Sequence, residues 1–267
     1  MSKKLIILAA GMGQRLQPLT TEIPKCMLPL AGRNLLEWQI LSAQKVGVNE
    51  KDIVIVAGHK AETIPGGKWT IAINPRYAQT NMLRTLWYAE KFFDSGIVVS
   101  YGDIVYEPEV LEKVVSCRHE IGVVVDHDWR SYWEKRFESV LDDAESLKLD
   151  SDGRILEIGQ KPDKVENIQG QYIGLMVFQG NGLSVLRRKY SEEATLLSSQ
   201  EGGEKMRIDT LYMTDMLQEL IDEDMPVYEI PINGKWVEID SLRDLRLAES
   251  FCRAVGDSLS IDRRQCI

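Results

Sequence analysis

Just after its first apolar run the chain reads Gly11-Met-Gly-Gln-Arg15, and ten residues further on Pro24-Lys25-Cys26. Two glycines, a guanidinium and an ammonium so close together are groups that meet an anion. Glycine lets backbone N–H groups approach a phosphate because no Cβ blocks the way. Arginine's planar fork matches phosphate oxygens. Two glycine loops of known mechanics do not fit. The phosphate loop of ATPases ends in Gly-Lys-Ser/Thr, whereas Gln14-Arg15-Leu16 follows Gly13. The dinucleotide fingerprint needs a third glycine where Leu16 stands. The formal net charge is −9, from 32 basic and 41 acidic residues. Such a surface repels nucleic acid and anionic membranes, so an anionic substrate needs a local basic site.

Those groups must be positioned by regular elements. Leu5–Leu8 is a short, wholly apolar strand of the kind buried on both faces. Leu35–Val46 has helical spacing, and Ile53–Ala57 and Trp69–Asn74 read as strands separated by the Pro65-Gly66-Gly67 turn. Thr80-Asn81 opens a helix over Met82–Phe93. Ile97–Tyr101 is a further strand, Val110–Val115 a helix and Gly122–Asp126 a strand. Then the character changes. Ser146–Leu149 and Arg154–Ile158 flank a turn at Asp150–Gly153, a hairpin signal. Tyr172–Phe178 is a strand, Thr210–Ile221 a helix, and Val227–Ile232 and Trp236–Ile239 two short strands across Asn233-Gly234, with Leu242–Ala254 closing as a helix.

Alternating strands and helices imply parallel strands with crossover helices. The expected fold is a single Rossmann-like three-layer α/β domain with a mixed, mainly parallel sheet and an added β-rich lid region. The chain has 267 residues, which favours one domain. Residues 1–120 would mainly bind nucleotide, 121–235 the acceptor and lid, and 236–267 would bring a second metal ligand and the closing helix. Cysteines at 26, 117, 252 and 266 show no metal-type spacing, so reduced thiols in a cytoplasmic protein are expected. The first apolar run is too short for a signal or a membrane span. Little chain follows the last helix, so no left-handed repeat domain or fused transferase is expected.

In an open parallel sheet, ligands sit beyond the carboxyl ends of the strands, where Gly11 and Gly13 fall. The stretch Leu8-Ala9-Ala10-Gly11-Met-Gly13-Gln-Arg15-Leu16, with Pro18-Leu-Thr20 and Pro24-Lys25-Cys-Met-Leu-Pro-Leu30, resembles the signature loop of the sugar-phosphate nucleotidyltransferase superfamily. The resemblance runs from the first strand to Trp236–Leu245. It implies in-line attack by an acceptor phosphate oxygen on the α-phosphorus of a nucleoside triphosphate, with pyrophosphate leaving. The protein then works by alignment and charge neutralisation. Leu8 to Gly13 and Gly102 would hold the nucleotide. Arg15 would grip the β- and γ-phosphates, and Lys25 would offset charge around the α-phosphorus. Asp103, at the end of a strand in Ser100-Tyr-Gly-Asp103, is a natural Mg2+ ligand. In Trp236-Val-Glu238-Ile-Asp240 the two carboxylates share a face if extended. The resemblance puts the second ligand at Asp240, with Glu238 the lesser candidate.

The stretch Asn74-Pro75 to Ala89 resembles the branch containing phosphocholine and phosphonate cytidylyltransferases. Gln79 and Asn81 carry amides able to pair with a pyrimidine edge, which favours CTP; Asn81 as a helix cap is the alternative. On the acceptor side, Trp129, Arg130, Tyr132, Trp133 and Arg136 crowd together in Asp126–Phe137. Such rings serve either as core or, beside Asp126 and Asp128, as a cradle for an ammonium. Arg130 or Arg136 could meet a phosphate or phosphonate. Tyr172 is a further candidate, and Lys161 stands where the family touches the acceptor, although Gln160 replaces the family's glutamate, which argues against a hexose. The expected activity is Mg2+-dependent transfer of CMP from CTP to a small phosphorylated alcohol or phosphonate. The alternatives are a sugar-1-phosphate nucleotidyltransferase using UTP, dTTP or GTP, and a silent nucleotide-sensing subunit. No nucleic-acid or membrane partner is expected, and a homodimer is an open alternative to a monomer.

Overall fold

The structure, a computed structural model, describes residues 3–196 and 207–259; Cys266 lies outside them. Seven strands form one sheet in the order Tyr228–Ile232, Ile121–Asp126, Gln171–Gln179, Gly96–Tyr101, Lys4–Ala9, Ile53–Ala57, Thr70–Ile73. Gln171–Gln179 runs antiparallel to both of its neighbours, and the remaining pairings are parallel. The all-apolar first strand is explained by what covers it. Ile6 and Leu8 face one buried layer with Leu83, Leu86, Met216 and Leu217. Leu5, Ile7 and Ala9 face another with Leu36, Ile40, Val110 and Val114. Helices therefore cover both faces, and the fold is the Rossmann-like three-layer arrangement with a mixed, mainly parallel sheet.

A third apolar cluster assembles the site. Leu16, Leu28 and Leu30, from the loop after the first strand, pack with Val237, Ile239, Ala248 and Cys252 from the end of the chain. Burial of these side chains, on the order of 1.5–3 kcal/mol each, draws the two ends of the sequence together. Trp38 adds a buried hydrogen bond from its indole Nε1 to the Leu30 carbonyl at 2.9 Å.

Several elements differ from the sequence expectation. The expected helix at Met82–Phe93 ends at Trp87 and is followed by a single 3-10 turn, Glu90–Phe92. Thr210–Ile221 is two helices, Arg207–Thr210 and Met213–Asp222. The strands across Asn233-Gly234 are not a hairpin. Tyr228–Ile232 joins the edge of the main sheet, while Trp236–Glu238 pairs with Ile104–Tyr106. Gly234, at φ +61°, instead donates its N–H to Asp126 at 2.8 Å. The hairpin Leu147–Leu149 with Ile155–Ile158 forms as a separate ribbon. The aromatic stretch is a helix, Trp129–Arg136, and Gly180–Leu196 is another. Among the described residues no helix is long and apolar enough to cross a membrane, and Cys26, Cys117 and Cys252 are free thiols.

Candidate active site

The site grows from two strand ends pressed together. The Gly102 N–H donates to the Leu8 carbonyl at 2.9 Å, and a Cβ on Gly102 would stand 2.7 Å from that same oxygen. Only glycine permits this approach without displacing the backbone. Gly13, at φ +60°, turns the loop back so that the Lys25 side chain lies within 3.2 Å of where its Cβ would be. A Cβ on Gly11 would meet no protein atom; the space beside it belongs to a cavity.

Asp103 follows Gly102, and its carbonyl accepts the Ile239 N–H at 3.0 Å. Because Glu238 is in register with Ile104, this antiparallel pairing carries Glu238 and Asp240 alongside Asp103. One carboxylate oxygen from each of Asp103, Glu238 and Asp240 lies within 4.8 Å of the others.

Cations bind this acidic group from three sides. Lys25 Nζ donates to Asp103 Oδ2 at 2.8 Å and also to Asp240 Oδ1. Arg15 Nη2 pairs with Asp240 Oδ2 at 2.8 Å. From behind, the fully buried Arg136 guanidinium pairs with Glu238 at 2.6 Å and Asp244 at 2.9 Å, and lies 3.9 Å from Asp240. Burial alone would lower the Lys25 pKa, but Asp103, Asp240 and Glu238 outweigh it and hold the ammonium above its usual value. For Asp240, Lys25 and Arg15 overcome the effect of burial and keep the carboxyl low. Glu238 goes the other way, pushed up first by burial and then by Asp240. The buried Asp103 Oδ1 has no hydrogen-bond partner. A buried lone carboxylate oxygen next to two more oxygen donors suits a hard divalent cation.

A cavity of about 80 Å3 opens directly beside this cluster. Its walls include Leu8, Ala9, Ala10, Gly11, Lys25, Gly102 and Asp103 from the sequence expectation, together with Tyr77, Thr80, Met82 and Thr85. Gln79 is exposed and does not line it. The Asn81 amide Nδ2 donates to the Thr210 carbonyl at 2.5 Å, and its side chain makes no cap bond to the helix. The neighbouring Thr80 and Tyr77 face the cavity instead. Both lie in the Asn74–Asn81 stretch that the resemblance sets beside the base, although the sequence expectation names only Gln79 and Asn81 as base contacts.

A second cavity, of about 170 Å3, shares Met82 and Tyr101 with the first and Glu238 with the acidic group. Trp133 and Tyr172 line it, with Trp236, Asp143, Glu145 and Gln171, which the sequence does not single out. The other acceptor candidates lie elsewhere. Trp129 is packed in the core. Arg130 is exposed and pairs with Glu134 at 3.1 Å. Arg136 is turned toward Glu238 and Asp244, and Lys161 Nζ donates to the Leu141 carbonyl. Asp126 is structural: its Oδ2 accepts the Trp236 indole N–H at 2.8 Å, and its Oδ1 accepts the Asp128 N–H at 2.9 Å.

Known proteins resemble this chain in sequence and in fold. CTP:phosphoglutamine cytidylyltransferase of Campylobacter jejuni is 34% identical over 253 residues, spanning 91% of this chain and 97% of that protein. CMP-5'-(3-aminopropyl)phosphonate synthase of Streptomyces rubellomurinus is 33% identical over 135 residues, which is 48% of this chain and 21% of that one. The solved CTP:phosphocholine cytidylyltransferase of Streptococcus pneumoniae superposes with a TM-score of 0.70 at 20% identity, covering 94% of this chain and 100% of that chain, and shows a shared fold. The model of the MobA-like NTP transferase domain matches residues 5–207. The chain therefore belongs to the MobA-like NTP transferase family and is a nucleotidyltransferase.

Proposed function

We propose that this enzyme transfers CMP from CTP to a small phosphorylated alcohol or phosphonate and releases pyrophosphate. The observation that carries the reading is the convergence of Lys25, Arg15, Asp103 and Asp240 in one ion-paired cluster, of which Lys25 and Asp103 line the strand-end cavity. The preference for CTP is supported by the relatives from Campylobacter and Streptomyces, both named for cytidylyl or CMP products. In the reaction an acceptor phosphate or phosphonate oxygen forms a bond to the α-phosphorus as the bond to the bridging oxygen breaks. That electron pair leaves with pyrophosphate.

Each residue has a task set by its position. The backbone from Leu8 to Gly11, with Tyr77 and Thr80 opposite, receives the nucleoside and its first phosphate. Lys25 places an ammonium where charge builds on the α-phosphoryl group. Arg15, the most exposed cation of the cluster, takes the outer phosphates. Asp103 and Asp240, with Glu238 beside them, would hold Mg2+. When bound, that ion would screen the triphosphate and stabilise the departing pyrophosphate. In the free protein Lys25 rests on Asp103 and Asp240 and Arg15 on Asp240, so triphosphate binding exchanges one set of partners for another. The acceptor enters the second cavity, between Trp133 and Tyr172.

Free thiols at Cys26, Cys117 and Cys252 accord with a reducing, cytoplasmic setting. The test is pyrophosphate release by the full chain with each of four nucleoside triphosphates against a panel of phosphate and phosphonate acceptors. CTP is expected to be preferred by tenfold or more in kcat/KM. Equal use of all four, or preference for another nucleotide with a sugar 1-phosphate, would overturn the reading.

A further inference from the structure

The helix Trp129–Arg136 holds the strand and turn that carry Glu238 and Asp240. Trp236–Glu238 pairs with Ile104–Tyr106 in a ribbon of two strands, so its other edge has no strand beside it among the described residues. At that edge the Tyr132 hydroxyl accepts the Glu238 N–H at 2.9 Å and donates to the Glu238 carbonyl at 3.2 Å. The hydroxyl thus commits its proton and a lone pair to the backbone of one residue. One helical turn on, Arg136 presents Nη1 to Glu238 and Nε to Asp244, and the Tyr132, Trp133 and Phe137 rings stand around its guanidinium at 5.3, 5.3 and 4.9 Å. Asp244 completes the frame. Its Oδ1 accepts from Arg136 Nε, and its Oδ2 accepts the N–H groups of Asp240 at 3.1 Å and Ser241 at 2.8 Å and the Ser241 hydroxyl at 2.9 Å.

Capping the helix Leu242–Leu259 accounts for only part of this. A capping box needs Ser241 and Asp244 alone, each side chain bonding the other's N–H. The bonds from Asp244 to the Asp240 N–H and to Arg136 lie outside that box and fix the residue before it. Packing does not require the Tyr132 hydroxyl either, because the ring is already set edge-on to Trp133 and Trp236. We propose that Tyr132 and Asp244, joined through Arg136, are positioning residues that hold Glu238 and Asp240 beside Asp103 in the arrangement a divalent ion would meet. Neither lines the strand-end cavity or the second cavity, so both act through the two carboxylates. Loss of the Tyr132 hydroxyl frees the Glu238 backbone at the open edge of its strand. An amide at position 244 cannot accept on both sides, because its NH2 group must face either Arg136 or the N–H groups of Asp240 and Ser241. Loss of such a partner of a metal ligand alters metal affinity by about 10–100-fold. The inference rests on the proposed function only in taking these carboxylates as the metal site.

The probe is Mn2+, titrated into the full chain with α,β-methylene CTP and followed by the electron paramagnetic resonance of the free ion, with no acceptor and no turnover. The variants are Tyr132→Phe and Asp244→Asn; Tyr132→Phe keeps the ring and decides the matter should Asp244→Asn fail to fold. Each is expected to raise the Mn2+ dissociation constant by about tenfold or more. In turnover assays each should raise the Mg2+ concentration for half-maximal activity, while KM for CTP at saturating Mg2+ stays within about twofold. Trp129→Ala, which removes core packing from the same helix, is the control: stability falls and the Mn2+ constant does not move. A purely structural role predicts that same pattern for Tyr132→Phe. An unchanged Mn2+ constant in either folded variant, an equal shift in Trp129→Ala, or no Mn2+ binding by the parent chain overturns the inference. Because binding needs no turnover, the two readings separate. A shifted Mn2+ constant in a protein that transfers no CMP contradicts the proposed function alone. Normal transfer with an unshifted constant contradicts the positioning role alone.

Discussion

Lys25 and Asp240 stand 215 residues apart in the chain and are joined by a direct ion pair between Nζ and Oδ1. The same ammonium reaches Asp103, so a single side chain ties the loop after the first strand to the carboxylates of the fourth sheet position and the chain's end. In the free protein this ammonium sits on the oxygens that a divalent ion would bind, and a triphosphate would compete with those oxygens for the ammonium.

Lys25→Ala is expected to lower kcat by about 10²–10³-fold, the scale for loss of one preorganised charge at a reacting group. The substitution also removes the cation that balances Asp103 and Asp240. Thermal stability should therefore become more responsive to added Mg2+ than in the parent. Near-normal turnover in a folded variant would remove Lys25 from the chemistry.

Asp103→Asn and Asp240→Asn are expected to raise the Mg2+ concentration for half-maximal activity by about tenfold or more, since outer partners alone alter affinity by that scale. An unchanged titration would show that these oxygens do not hold the ion.

Arg136 itself lines neither of the two cavities, and its side chain is wholly buried among Glu238, Asp240 and Asp244. Arg136→Met should destabilise the fold by about 3–5 kcal/mol, the cost of leaving buried charges uncompensated. Chemical denaturation measures it, and a loss below about 1 kcal/mol, the scale of an exposed pair, would contradict the structural role.

The paired tryptophans separate packing from binding. Trp129→Ala should cost about 3–5 kcal/mol of stability with little change in acceptor KM. Trp133→Phe should raise acceptor KM more than the KM for CTP. Equal effects on both constants would return Trp133 to the core.

What was legible in the sequence was local. The glycine loop, Lys25 and Asp103 sit at strand ends marked by short apolar runs, and Glu238 and Asp240 lie in one short extended segment. The sequence could therefore name residues that the structure brings together. The acceptor cavity was not legible in the same way. Asp143 and Glu145 fall in an aperiodic connection, and their meeting with Trp236 depends on pairing between Trp236–Glu238 and Ile104–Tyr106. The Asn-Gly pair at 233–234 is a strong hairpin signal, yet long-range pairing and the bond from Gly234 to Asp126 outweigh it. Likewise the helical register of Trp129–Arg136 sends Arg136 to the carboxylates and Arg130 to solvent, a distinction that composition cannot make.

The most direct measurement is phosphorus NMR of the full chain with CTP, Mg2+ and 2-aminoethylphosphonate. The expected spectrum gains a CMP–phosphonate linkage and an equal amount of pyrophosphate, and Lys25→Ala slows both together. Formation of free CMP by hydrolysis, or no change in a folded protein that binds CTP, would contradict cytidylyl transfer at this site.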